Sequence, residues 1–408
     1  MTLARFLADN ARPLSAGVML SAGSSYGQTF FIALFAAQIM EEGGLSHGQW
    51  GAAYMLATTL SAAVMVWAGG LADTLRIRTL SAICSAGLAA ASLAMALSTG
   101  AVALIGSVLL LRFFGQGMLS HLAAVAMARW FREGRGRALS IASLGFAIGQ
   151  ASLPVIFVAA MAIADWRVLW AVAGASMLAL LPAVLWATRG ERPPAEIAEA
   201  AASRGMDGRH WSRAEAMREA TLWLVLPMIL GPAAWGTALF FHQVHLAEVK
   251  GFELASFVAL FPVYVGASVL STLASGAAID RYGATRLLPV LAVPMAAGFV
   301  VLGGAGTLPA AAIGLALLGV GWGAQATLPS AFWAEAYGTG HLGRIKALAG
   351  AAMVLGSAIG PGVTGWLIDR GTSFPEQMAW YGGYYALAGL AAWAASVRAL
   401  GRLRPAAA

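Results

Sequence analysis

One cysteine, Cys84, stands among 408 residues. That scarcity excludes an intrachain disulfide and any multi-cysteine metal site. Charge is nearly as sparse: 11% of the residues are Asp, Glu, Lys or Arg, against about 25% in a soluble domain. Acid is missing where it would matter most. No Asp or Glu falls in the middle of a long apolar stretch, since Glu335 and Asp369 lie near stretch ends. A buried carboxylate relay is therefore excluded, and a proton route through the apolar body needs histidine. Strand-to-helix punctuation is absent too. Gly319-Val320-Gly321-Trp322-Gly323 and Gly23-Ser24-Ser25-Tyr26-Gly27 match a nucleotide loop and a nucleophile elbow by spacing alone. Neither follows a strand, so neither supports ATP coupling or an intramembrane hydrolase. No enzyme activity, cofactor or resident metal is expected.

What is present is apolar. The chain is 60% hydrophobic, with a mean hydropathy of +0.76. Stretches of about 20 apolar residues recur along it, which reads as an all-α integral membrane protein. The first, near 13–38, is too long for a signal h-region, so no cleaved leader is expected. The spacing predicts twelve helices, at about 14–39, 49–72, 79–98, 101–128, 138–164, 167–188, 221–247, 254–279, 286–304, 307–333, 345–368 and 379–400. Residues 1–188 and 221–408 then form two six-helix bundles. The stretch 189–220, rich in Glu, Arg, Ala and Pro, is a polar linker with short surface helices. Trp380, Tyr381, Tyr384 and Tyr385 are placed as an interfacial anchor for the last helix. Small residues at four-residue spacing, Gly145 with Gly149 and Gly356 with Gly360, are expected to let helices approach closely.

The two bundles repeat. Gly69 to Asp73 recurs as Gly276 to Asp280, 207 residues later, and Gly136-Arg137, Gly149 and Pro154 recur at the same offset as Gly343-Arg344, Gly356 and Pro361. Repeated membrane bundles place a solute site between the repeats. Lys and Arg sort by side: 21 of 25 fall on one side of this layout, only Arg167, Lys250 and Arg370 on the other, and Arg112 inside a helix. By the positive-inside rule both termini and the linker are cytoplasmic. That sorting also accounts for the net charge of +7 without a nucleic-acid partner.

Twelve helices in two halves, a long central loop, and a Gly-x-x-x-Asp then Arg motif after the second and eighth helices resemble the major facilitator superfamily. The second copy is fuller, with Gly276, Asp280, Arg281, Gly283 and Arg286; the first has Thr74 and Arg76 where the family pattern has Arg and Gly. The resemblance implies helices one, four, seven and ten around a cavity. It also implies that Asp73 and Asp280 latch helix ends, with Arg76, Arg281 and Arg286 as gating partners. Within the superfamily, Asp165-Trp166-Arg167, Trp333 to Gly338, Gly343-Arg344-Ile345 and Gly360-Pro361 look nearest to the monocarboxylate and oxalate–formate group. The fifth helix reads Gly149 to Pro154 without a Gly-Pro step, unlike drug–proton antiporters.

Arg112 is the pivotal candidate. It lies roughly 16 Å into the fourth helix at 1.5 Å per residue, near the middle of a core about 30 Å thick. A charge there costs at least about 2.5–3.5 kcal/mol and needs a partner or a wet cavity. With no acid at that depth, an anionic solute is a fitting partner; Gln150 and backbone carbonyls are the structural alternative. Tyr26, Gln28 and Phe30 on the first helix, Gln150 on the fifth, Trp235 and His242 on the seventh, Tyr264 on the eighth, and Trp322 and Gln325 on the tenth complete the proposed solute site. His242 and His245 share a helix face and offer a proton route, whereas His121 reads as structural. The expectation is a secondary transporter of the bacterial inner membrane, monomeric, with a small organic solute, the lipid bilayer and protons as its partners. A monocarboxylate-like anion leads, moved by proton symport or by exchange. A neutral planar heterocycle such as riboflavin is the alternative, ahead of drug efflux or a solute receptor that does not transport.

Overall fold

A computed structural model describes residues 3–131, 135–189, 204–338 and 341–403. Among them there are helices and no strands. Among the described residues, ten helices are long and apolar enough to cross a membrane. The other two expected spans are the first, which is broken, and the last, a 29-residue helix, Phe374–Arg402, with polar residues at both ends.

Twelve helical spans are numbered α1 (3–43), α2 (47–68), α3 (77–96), α4 (100–130), α5 (135–160), α6 (166–187), α7 (220–249), α8 (254–282), α9 (284–304), α10 (308–337), α11 (342–369) and α12 (374–402). The chain forms two compact units. One comprises Met1–Ala198 with Phe240–His245, and the other Glu199–Leu239 with Leu246–Ala408. In the first unit α1 packs on α5, and α3 on α6; in the second α8 packs on α10, and α9 on α12. Glycines carry the closest crossings, as expected. Gly145 abuts the Val18 backbone and Gly360 the Ala234 backbone, with no room for a side chain.

Several helices expected to run unbroken do not, α8 breaking at 259–260 and α9 carrying a 3₁₀ stretch, Leu288–Leu291, among them. α1 leaves the α-helix at Ser24–Gly27, a 3₁₀ turn, and Gln28 is extended at φ −86°, ψ 153°. Glycines and serines weaken it there, and Ser24 Oγ donates back to the Ser21 carbonyl at 2.7 Å, a local bond that competes with helix continuation. α4 widens into a π-helical stretch, Arg112–Leu119. α7 does the same at Pro232–Gly236, where a proline lacking an N–H breaks the ladder. α10 stops at Gln325 and restarts at Leu328, with Pro329 at the head of the new piece. π-bulges and helix breaks gather at functional sites.

The ends of α3 and α9 are closed alike. Arg167 Nη1 donates to the carbonyls of Ala96 and Ser98 at 2.9 and 2.8 Å. Lys250 Nζ donates to those of Gly303 and Ala305, each at 2.8 Å. Arg370, the remaining basic residue of the sparse side, lies over the Trp366 ring at 3.9 Å.

Part of the expected linker, 190–203, lies outside the described residues. The part from Gly205 to Glu219 packs onto the second unit, with short helices Met206–Gly208 and Arg213–Arg218. Trp211 is buried; its backbone N–H donates to the Tyr337 carbonyl at 3.0 Å. Arg402 pairs with Asp207 at 2.6 Å and with Glu219 at 3.0 Å. The Arg402 hydrogen bond holds the Asp207 carboxyl below its ordinary value. Bonds from Ser212, then Arg209, pull Glu215 down to about 2. Tyr381 and Tyr385, expected at the interface, are instead buried among Trp235 and Phe299. One turn apart, they share the inward face of α12, whereas Trp380 stays 55% exposed.

Candidate functional site

The break in α1 and the π-helical stretch of α4 meet backbone to backbone in the first unit. A Cβ on Gly27 would collide with the Leu111 carbonyl, and one on Gly115 with the Gly27 backbone. This approach brings Arg112, first residue of the π stretch, under the unwound chain. Its Nη1 donates to the Thr29 hydroxyl at 3.2 Å and, at a long 3.4 Å, to the Gly27 carbonyl. Its guanidinium carbon lies 5.3 Å from the centre of the Tyr54 ring, within cation–π range. Thr29 and Tyr54 share a hydrogen bond of 2.5 Å between their hydroxyl oxygens. Arg112 is 2% exposed, its Nε has no hydrogen-bond partner, and it makes no ion pair among the described residues. A full positive charge is thus solvated by two neutral oxygens and a ring.

The other expected site residues of this unit divide. Gln28 is buried, its amide 3.5 Å from Ser120 Oγ on α4. Tyr26 turns towards α6, its hydroxyl accepting from Ser176 Oγ at 2.8 Å and its ring meeting Phe31 edge-on at 5.1 Å. Phe30 is buried against Phe146 at 5.8 Å, and its carbonyl accepts from Gln243 Nε2 at 2.8 Å. Gln150 is buried on α5 without bonding Arg112. His242, 3% exposed, sits beside a histidine that sequence reasoning missed. His47 at the start of α2 lies 5.9 Å from the His242 ring and 4.3 Å from that of His245.

In the second unit the π-helical turn of α7 meets the end of the first piece of α10. Trp322 fills the space over Gly236 and meets the Tyr264 ring at 6.0 Å. Trp235 stacks on Tyr381 at 4.4 Å and 14°, its indole N–H unpartnered. Gln325, at the break of α10, buries both atoms of its amide without a hydrogen bond. Buried polar atoms left unpaired are costly and ask for an explanation.

The expected gating groups are brought together less than the motif suggested. The side chain of Asp73 lies outside the described residues. Arg76, Asp280, Arg281 and Arg286 are exposed, with Arg281 over the Tyr282 ring at 5.3 Å. The carboxylate that holds a helix start is Glu335 of α10. It accepts from the backbone N–H groups of Ala284 and Thr285 at 2.7 and 2.9 Å, and from the Thr285 hydroxyl at 2.8 Å. In the first unit a cation does the matching work: Arg129 Nη2 donates to the Ala72 carbonyl, and His121 Nε2 lies 3.2 Å from the Gly69 carbonyl.

The Major Facilitator Superfamily model matches residues 17–344. The chain belongs to that superfamily. Membership makes it a membrane transporter, with a small-molecule solute and the lipid bilayer as partners. Comparison with curated proteins returns no match. Among solved structures, the fold is similar to a bacterial homolog of the human lysosomal transporter Spinster, inward-facing and unoccupied. That likeness has a TM-score of 0.72 at 16% identity over 97% of this chain and 99% of that one. The occupied form of the same homolog gives 0.69, also at 16%, over 97% and 98%. A mutant form of the nucleoside transporter NupG gives 0.68 at 14% over 96% and 100%. The irregular stretches fall on α1, α4, α7 and α10, the helices expected to line the solute path, and also on α8 and α9.

Proposed function

We propose that this superfamily member is a secondary active transporter of a small organic anion, a monocarboxylate being the model solute, with Arg112 as the group that recognises the negative charge. One observation carries the reading: Arg112 is buried, bonded only to neutral oxygens, and retains an unpartnered Nε. A buried cation without a counter-charge is expensive. A carboxylate supplies the missing charge, and guanidinium binds it in a two-point fork. The resemblance to the monocarboxylate and oxalate–formate group supports the same choice. Symport with protons and exchange against a second anion are the two modes that fit.

The charge sorting favours cytoplasmic termini and residence in the cytoplasmic membrane of a bacterium, as a monomer. In this reading Asp73 and Asp280, with Arg76, Arg281 and Arg286, act on the cytoplasmic gate. Purified protein, titrated with a panel of carboxylates and neutral heterocycles while Tm is followed, tests the assignment. Carboxylates are expected to raise Tm, and Arg112→Gln to abolish that rise while leaving the unliganded protein folded. Stabilisation by neutral heterocycles alone, undiminished in Arg112→Gln, would refute it.

A further inference from the structure

We infer that the docked half of the linker, residues 205–219, is a strap that ties α12 to the second piece of α10 and fixes that piece against turning about the break at 326–327. Such a strap needs no assumption about the solute or its charge. α10 is built as two pieces, Leu308–Gln325 and Leu328–Tyr337, with Thr327 between them at φ −117°, ψ −47°. Pro329 carries no N–H to extend the hydrogen-bond ladder across the joint. A few element-terminal residues of this kind are enough for a hinge.

The strap grips the far end of the second piece. Gly205 lies so close to the Ala336 carbonyl and the Gly338 nitrogen that an added Cβ would stand 2.5 Å from each. The Trp211 N–H donates to the Tyr337 carbonyl at 3.0 Å, and the two rings meet edge-on at 5.9 Å. Met206 and Trp211 are buried, and the Trp211 indole donates to the Met206 carbonyl at 3.0 Å. α12 holds the other side. Arg402 donates twice to Asp207, at 3.1 and 2.6 Å, and its guanidinium carbon lies 5.1 Å from the centre of the Trp211 ring. Arg398 and Arg402 both reach Glu219, at 3.3 and 3.0 Å.

Two costs show that the closed arrangement is imposed rather than relaxed. Among the described residues Asp207 is the one non-glycine residue at positive φ, 58°, a conformation that persists where its surroundings over-determine it. The Tyr337 hydroxyl is buried without a hydrogen-bond partner, which the end of α10 tolerates only while other contacts hold it there. Half-exposed ion pairs add little singly. Burial of the Trp211 indole is therefore the main hold, and the arginines orient it. The second piece in turn holds its neighbours: Glu335 accepts from the Ala284 and Thr285 N–H groups at the start of α9, and Ser330 accepts from Lys346 of α11 at 2.6 Å. Opening the strap thus frees the piece and slackens the start of α9, while the first piece of α10 stays packed on α8 and the body of α9.

Hydrogen exchange on the purified full-length protein in detergent tests the strap without a solute. Trp211→Ala should lower protection of 205–219 and 328–337 by about tenfold each, with 284–288 following and 308–322 staying within about twofold of wild type. Arg402→Gln should give the same pattern at about threefold. If Trp211→Ala does not fold, Arg402→Gln carries the test alone. Protection of 328–337 that stays at the wild-type level in these variants would overturn the strap, and loosening of 308–322 to the same extent as 328–337 would overturn the hinge. A silent 284–288 would overturn the link to α9.

Discussion

Two helix pairs at equivalent places in the repeat solve one packing problem differently. In the first unit α1 and α4 approach through Gly27 and Gly115, backbone against backbone. In the second, α7 and α10 approach through Gly236, and an indole, Trp322, fills the gap. At the 207-residue offset Gly115 corresponds to Trp322 and Gln28 to Trp235. The glycine version strips the unwound chain of side chains and exposes its oxygens to Arg112. The tryptophan version leaves a neutral amide, Gln325, with both atoms unpaired. The crossing through glycine stands beside a buried cation, and the crossing filled by tryptophan beside a neutral amide.

The sharpest way to break this comparison is to remove the two polar groups in parallel. Arg112→Ala should weaken carboxylate binding by two orders of magnitude or more, since loss of a buried charge partner costs about 2–5 kcal/mol. Gln325→Ala should weaken it about tenfold or less, one neutral hydrogen bond being worth about 1 kcal/mol. Calorimetric titration with the best carboxylate reads both, and equal losses would erase the distinction. Next come the crossings themselves. Gly27→Val should destabilise by about 3 kcal/mol or more, because overpacking meets rigid backbone. Gly356→Ala, whose Cβ would sit 3.2 Å from the Leu230 carbonyl, should cost under about 1 kcal/mol. Thermal unfolding in detergent ranks them, and the opposite order would refute the backbone-contact reading.

The helix-end contacts offer a smaller test. Glu335→Gln loses a charged acceptor at the start of α9, and Arg129→Gln a charged donor at the carbonyls after α2; each should cost about 1 kcal/mol. Charge reversal at either should cost more than neutralisation, as read by Tm. The smallest effect concerns Glu215. Its folded carboxyl is depressed to about 2, so its contribution is present above the unfolded value and fades as pH falls towards 2. In Glu215→Gln the difference from wild type, visible as exchange protection of 205–219, should shrink below about pH 4. A difference that grows with acid would contradict the assignment.

Much of the architecture was legible beforehand because membrane spans announce themselves by length and apolarity, and a duplicated chain announces itself by offset. Arg112 was legible for the same reason, as an ion with no acid at its depth. The interruptions were not. Pro232 and Pro329 hint at them, but whether a proline kinks, widens or restarts a helix depends on what packs beside it. His47 was missed because it starts a helix in a polar stretch 195 residues before His242, and only folding places them together. Glu335 was visible inside a family-like run, yet its hydrogen bonds to Ala284 and Thr285 bridge 51 and 50 residues. Asp280, favoured by motif, is left exposed. Trp211 and the Ser212–Glu215 capping box were the available signs that the linker's second half docks.

The paired carbonyls at 96 and 98 recur at 303 and 305. Both pairs take a cation, an arginine from the start of α6 in one unit and a lysine just after α7 in the other. The need recurs at the 207-residue offset, while the residue that meets it comes from a different place in each unit. Arg167, Lys250 and Arg370 are thus engaged by carbonyls or a ring, so their charges are spent on packing the fold.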